Sequence, residues 1–400
     1  MKPLNKLVTK ARDLREHHKE RHRPSGYAFA VADSIDFLDK GHWDTVTSHD
    51  SLFLSRRYLR VLEEAGPENL RQCYALIFKE KEPVAAVAAQ SVTVSLARLR
   101  KKASSNGHLD RLEEKMLVCG NLLSWGMHGI AFAPNVAHEA IWPAVAEAVY
   151  RLRRVDKLFG DTAFVMVKDI TDTHASAATA LSRFSYRELE TEPNMVLDIS
   201  PQWKSYDDYM ASLTSKYRKQ AKQIEKEVTA AGCTVEEIKT DEIERNAEQL
   251  HALYLQTHKN ARLRLVTLPV AFLPTLAREL GDDMRFTVLK KDDRLLGFVT
   301  TVKDGEIAVG YYIGFDRKAN ADIPIYFRLL QSVVGHALSL GCKRLSLGRT
   351  ALEPKARLGA RPDPMRVWIR HRIPMLNVIV HGLLHALDDH EEAPERNPFK

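Results

Sequence analysis

A mixed α/β fold built from two tandem halves is what this 400-residue sequence predicts. Three observations lead to it. The stretch Tyr311 to Pro364 reads as strand, polar turn, helix, second strand and basic loop. A helix between two strands is the crossover that parallel strands need, and polar groups gather where parallel strands end. The charged turns Lys79-Glu80-Lys81-Glu82 and Lys291-Asp292-Asp293-Arg294 separate apolar runs, as in antiparallel hairpins. The same plan occurs twice, at a period far longer than a solenoid repeat.

The elements follow in order. Residues 1–26 form a basic arm, and its first 24 residues hold eight Lys or Arg against three acids. Leu4, Leu7, Val8, Ala11 and Leu14 recur at helical spacing, which fits a surface-bound amphipathic helix or a solvated arm. The first domain is set at 27–200. Ser51–Ala65 reads as a helix, 73–78 and 84–90 as a hairpin, and 98–114 as a charged loop. The apolar stretch 116–132 contains Gly120, Gly126 and Gly129; 137–154 is a helix, 163–168 a short strand, and 195–199 a closing strand. The second domain is set at 201–388. Tyr206–Thr229 is a helix with Ser205 as N-cap and Gly232 as its stop. Helices are expected at 241–257 and 267–280, strands at 285–290, 295–302 and 307–315, then helix 324–340 and strand 343–347. A polar tail, 389–400, ends the chain.

Composition sets bounds. The hydrophobic share of 44% and charged share of 28% are those of a globular protein. The four cysteines are scattered singly, so neither a zinc ribbon nor a disulfide framework is indicated, and a reducing cytoplasm fits. The charged N-terminus lacks the apolar core of a secretion signal. The longest apolar candidate, Ile373–Leu387, is too short to span a membrane and is interrupted by Asn377, His381 and His385. A net charge of +7 allows an acidic partner: a phosphorylated cofactor, tRNA or an anionic membrane face.

Candidate site residues sit at strand ends. Arg349, Lys355 and Arg357 lie beyond the second parallel strand, where a guanidinium fork or an ammonium meets phosphate or carboxylate. Salt bridging, for example to Glu353, is the plainer use for them. Gly359 permits a close turn. Lys216, Lys219, Lys222 and Lys226 form one helical stripe, either a solvent face or a track for tRNA or lipid head groups. The pair His381/His385 and the cluster His17, His18 and His22 lack a third ligand in sequence, so no metal is expected.

The sequence resembles the GNAT (acyl-CoA N-acyltransferase) fold, in two tandem copies similar to the Fem-type peptidyltransferases and their acyltransferase relatives. The residues that carry the likeness are Ser215-Lys216-Tyr217-Arg218-Lys219, Gly310-Tyr311-Tyr312-Ile313-Gly314, Pro324-Ile325-Tyr326-Phe327, Leu347-Gly348-Arg349-Thr350, the 354–360 loop, and Val118-Cys119-Gly120-Asn121 in the first copy. The resemblance implies a bacterial, cytoplasmic N-acyltransferase, at most peripheral to the inner membrane face. It would move an acyl or aminoacyl group from an activated donor, acyl-CoA first, to an amine or hydroxyl on a small molecule or cell-envelope precursor. The second copy would be catalytic, with Tyr311 and Tyr326 as phenols able to protonate a leaving group. Arg317, Lys318, Arg349 and Lys355 would hold the cofactor. The first copy would shape the acceptor site with Asn121, His128 and Lys168, joined by Arg357 and Gly359.

Two departures stand out. The loop that cradles pyrophosphate in such folds reads Asp316-Arg317-Lys318-Ala319-Asn320-Ala321-Asp322 here, without glycine. The coiled-coil arm of tRNA-reading Fem enzymes is absent. The competing readings are a catalytically inactive binding protein of the same fold and, third, a tRNA-dependent or nucleic-acid-binding protein. A carrier protein as donor and the oligomeric state stay open.

Overall fold

The computed structural model describes residues 23–95, 113–259, 264–373, 376–377 and 394–400. Most of the basic arm, the 98–114 loop up to residue 112, most of 373–387, and the histidines 17, 18, 22, 381 and 385 lie outside those residues.

The N-terminal half runs β1 (Ala28–Ala32), α1 (Lys40–Thr47), α2 (Arg56–Ala65), β2 (Leu70–Lys79), β3 (Glu82–Ser95), β4 (Glu113–Cys119) and β5 (Ile130–Phe132). It continues with α3 (His138–Asp156), β6 (Thr162–Thr171), α4 (Asp172–Ala178) and β7 (Arg187–Asp198). The C-terminal half runs α5 (Tyr206–Ser212), α6 (Ser215–Ala230), β8 (Cys233–Glu237), α7 (Thr240–Arg245), α8 (Ala247–His258), α9 (Phe272–Leu280), β9 (Met284–Lys291) and β10 (Arg294–Asp304). It ends with β11 (Ile307–Phe315), α10 (Ala319–Asp322), α11 (Ile325–Ser339), β12 (Arg344–Ser346), α12 (Leu352–Arg357) and β13 (Arg361–His371).

All thirteen described strands but β5 lie on one path, β1-β2-β3-β4-β6-β13-β7-β12-β11-β10-β9-β8, and β5 pairs with β3. From either edge the plan is the same. Four antiparallel strands are followed by a fifth, parallel to the fourth: β4 with β6 on one side, β11 with β12 on the other. The sixth strand comes from the opposite half. β13 pairs with β6, and β7 pairs with β12, so each half lends its last strand to its neighbour. β13 and β7 pair with each other at the centre. The sheet therefore crosses the expected boundary at residue 200 without a break.

Helices cover both faces. One core is shared: Trp43, Phe53 and Tyr58 of the N-terminal half pack in one cluster with Tyr254, Phe272 and Phe298 of the C-terminal half. Separate cores form under α3 and α11.

Several expected elements are corrected. The 51–65 helix splits into a short turn at Leu52–Leu54 and α2, because Ser51 and Ser55 each cap the residues that follow. The 206–229 helix breaks after Ser212, where Leu213 bridges Phe399 and the Thr214 amide donates to Pro398 O at 2.8 Å. Ser205 does cap it, in a reciprocal box with Asp208. The 241–257 helix breaks at Asn246. β13 is new: Pro362 and Pro364 argue against a central strand, yet the register shifts between Asp363 and Met365, so Pro364 falls in a bulge.

Candidate active site

The site is built around a loop expelled from a strand. β4 stops at Cys119 and β5 resumes at Ile130 on the same neighbour, β3. The neck is closed on the Ala88 backbone: Gly120 N donates to Ala88 O (3.1 Å) and Ala88 N donates to Gly129 O (2.9 Å). A Cβ on Gly129 would lie 2.3 Å from Gly120 N, so only glycine lets the two ends touch. Gly129→Ala is expected to lower stability by about 1–3 kcal/mol and shift the near-ultraviolet signal of Trp125. Denaturant melts and circular dichroism check this; an unchanged spectrum would mean the neck is open.

The loop reaches the place where β11 and β12 part. Those strands pair only over Ile307–Val309 with Arg344–Ser346. The Trp125 indole lies beyond that point, 3.2 Å from where a Gly348 Cβ would be, and its Nε1 donates to Ser346 Oγ at 2.7 Å. Asn194 of β7 closes the far side, accepting from Ser346 Oγ (3.1 Å) and Gly348 N (3.0 Å).

Three hydrogen-bonded groups meet along this seam between the halves. In the first, Asn121 Nδ2 donates to the Tyr58 hydroxyl (2.9 Å), which is 2.7 Å from the Tyr311 hydroxyl. In the second, Ser124 Oγ lies 2.8 Å from His128 Nδ1, and His128 Nε2 lies 3.7 Å from Asp304 Oδ2. Asp304 accepts from Leu52 N (2.6 Å) and Ser51 Oγ (2.9 Å). Burial, helped by the Lys168 charge, lowers the His128 pKa to about 3, so the imidazole is neutral and stacks on Phe53. In the third, Asp169 is fully buried at φ +58° and is paired with both Lys168 and Arg349. It also accepts from Gly126 N at 3.0 Å, while Lys168 Nζ donates to Ser124 O at 2.9 Å. Burial brings the Arg349 pKa down to about 10, and Arg349 Nε is buried without a partner among the described residues.

The structure thus gathers five of the expected residues: Asn121, His128, Lys168, Tyr311 and Arg349. It does not gather the rest. Tyr326 packs on Phe315 and Phe327, and burial pushes its phenol up to about 12. Arg317 and Lys318 are exposed beside Asp316. Asp316 Oδ1 accepts from Lys318 N (2.9 Å) and Ala319 N (3.1 Å), so the chain's own carboxylate occupies amides that would otherwise face a pyrophosphate. Arg357 pairs with Glu353 at 2.9 Å, and Gly359 lies under the Phe399 ring. Lys355 is only 4% exposed on α12, and no hydrogen bond to its amine is found among the described residues; burial brings its pKa down to about 7, opposed by nearby Glu192.

Ser124, Trp125, Asp169, Asn194 and Asp304 escaped sequence reasoning. The Gly120, Gly126 and Gly129 spacing was the available signal for the loop. Nothing local marks Asp304, whose partners are about 250 residues away in sequence.

Residues 215–356 match the family model of the acetyltransferase (GNAT) domain. That match spans about a third of the chain, within its C-terminal half. No curated protein matches the sequence. Among solved structures, FemX superposes with a TM-score of 0.53 at 10% identity, covering 89% of this chain and 99% of that one. A tandem GNAT protein from the clavulanic acid biosynthesis pathway gives 0.53 at 12% identity, covering 86% and 98%. At such identities the likeness is one of fold: a mixed sheet with two GNAT-like halves. Among the described residues no helix is long and apolar enough to cross a membrane, and no three His, Cys, Asp or Glu form a metal-holding group.

Proposed function

We propose that the chain is an N-acyltransferase that moves an acyl or aminoacyl group from an activated donor to an amine or hydroxyl, at the seam between its halves. The observation that carries this reading is the parting of β11 from β12 after Val309, within the segment that matches the GNAT model. Beyond that point the β12 side of β11 has no strand partner, and amides on such an edge suit a carbonyl oxygen that gains charge. Arg349 pairs with Asp169 beside Lys168, whose amine burial and the Arg349 charge hold well below an ordinary lysine, and the Arg349 guanidinium suits a substrate bearing phosphate or carboxylate. Lys355, which stands on α12 outside the three hydrogen-bonded groups, is assigned as the base on its pKa of about 7, and its replacement by methionine tests that assignment. Tyr311 loses its role as acid: its hydroxyl is engaged by Tyr58, and burial raises its pKa, which weakens it as a donor of protons.

The GNAT match favours acyl-CoA as donor. Asp316 favours a second reading, in which the leaving group is not held by its pyrophosphate at that loop, as in an aminoacyl-tRNA or an acyl carrier protein. The acceptor is a small molecule or a cell-envelope precursor met in the cytoplasm or at the inner membrane face.

The test is thermal melting against acyl-CoAs, free coenzyme A, acyl carrier protein and aminoacyl-tRNA, followed by transfer of labelled acyl group to amines. A ligand at a hundred times its Kd adds about 2.7 kcal/mol. Transfer from any of these donors supports the reading and names the donor. Silence from all of them returns the chain to a binding protein of GNAT fold.

A further inference from the structure

Away from the seam, α3, the 183–186 segment and residues of β6 and β13 enclose a cavity of about 600 Å³. That volume is in the range of small-molecule sites, about 300–1,000 Å³. Its charge is one-sided. Arg153 of α3, Arg183 and Arg23 line it, as does Arg370 of β13, which has a partner of its own, and Glu147 is the one carboxylate in the described lining. Glu147 is already engaged: one oxygen accepts from Arg151 at 2.7 Å and the other from Ser25 N at 2.7 Å. The Ser25 hydroxyl, also on the wall, is buried beside the Glu147 carboxylate. Elsewhere the wall is apolar, from Pro143, Val165 and Phe184. Tyr186, 4% exposed, completes it; burial pushes its phenol up to about 12 against the pull of Arg370 and Arg153, so it is a neutral hydrogen-bond donor.

We propose that this cavity binds a phosphate monoester carried on an apolar or aromatic body. Guanidinium forks on several sides match a dianion better than a single carboxylate. The apolar wall suits an organic body rather than free phosphate. A concave pocket, as opposed to an open basic stripe, takes one small group rather than a nucleic-acid backbone.

The experiment is calorimetric titration of the full chain with phenyl phosphate, beside phenol and inorganic phosphate. Phenyl phosphate is expected to bind at one site and phenol not at all. Arg183→Gln, on an exposed side chain, and Arg153→Gln are each expected to weaken phenyl phosphate about tenfold, as loss of a charge-assisted bond does. A vesicle arm separates the sources of the phosphate. Co-sedimentation with phosphatidylcholine vesicles containing phosphatidic acid, lost in the Arg153→Gln/Arg183→Gln double variant, assigns the site to a lipid. Binding only in free solution assigns it to a soluble ester. Phenyl phosphate that does not bind, or binds the double variant as well as the parent, overturns the proposal.

Discussion

Replacing Lys355 by methionine is expected to abolish acyl transfer and at the same time stabilise the protein. Both effects come from one buried amine. In the folded chain Lys355 releases its proton near pH 7, against 10.5 for an ordinary lysine. Below about pH 7 both states are protonated, and the fold carries the full penalty of a buried charge. From about pH 7 up to about 10.5 the unfolded chain binds more protons than the folded one, so stability rises with pH across that window. Methionine removes the penalty, and the gain is on the order of a few kcal/mol, greatest below pH 7. A general base contributes roughly 10²–10⁴-fold to a rate, and the parent rate is expected to climb with pH through about 7 and then level off. Lys355→Arg keeps a permanent charge at the same place, so it should lose both activity and stability. Retained transfer in the methionine variant removes Lys355 from the chemistry; a lowered melting point removes the account of its burial.

Asp169→Asn is expected to be the most damaging single change at the seam, lowering stability by about 3–5 kcal/mol. Asp169 is wholly buried and pairs with Arg349 and with the Lys168 amine, which burial and the Arg349 charge hold well below an ordinary lysine. Asparagine tolerates the left-handed backbone as aspartate does and keeps an oxygen for the Gly126 amide, so the substitution isolates the charge. The Arg349 charge would then sit in a low-dielectric site without a counter-ion. Adding Arg349→Gln should recover much of the loss, which a double-mutant cycle in denaturant measures. A single variant within about 1 kcal/mol of the parent would mean that water reaches these charges and the seam is open.

Much of the fold was legible in the sequence. The apolar run at 307–315 predicts β11 at its observed bounds, and the 79–82 turn falls where its charges predict, because charged turns between apolar runs leave a local signature. Long-range events were not legible. The helix at 206–229 breaks because residues 398–400 pair with it, and no window around 213 contains that fact. β13 was hidden by prolines that a bulge absorbs. At the site, residue type pointed to Arg349 and Lys168, while the carboxylate that joins them, Asp169, read only as the end of a strand. Tyr311 and Tyr326 were paired by resemblance, and packing separates them: one is hydrogen-bonded to Tyr58, the other stacked beside Phe315.

The exchange of terminal strands has a consequence for how the molecule is made. β6 exposes an unsatisfied edge until residues 361–371 arrive to cover it, so the N-terminal half cannot complete its sheet while the ribosome is still producing the C-terminal half. Through most of synthesis that edge can pair with any extended chain nearby. Neither half excised at residue 200 would hold its full complement of strands, and each would carry an open edge that recruits its missing partner from another molecule.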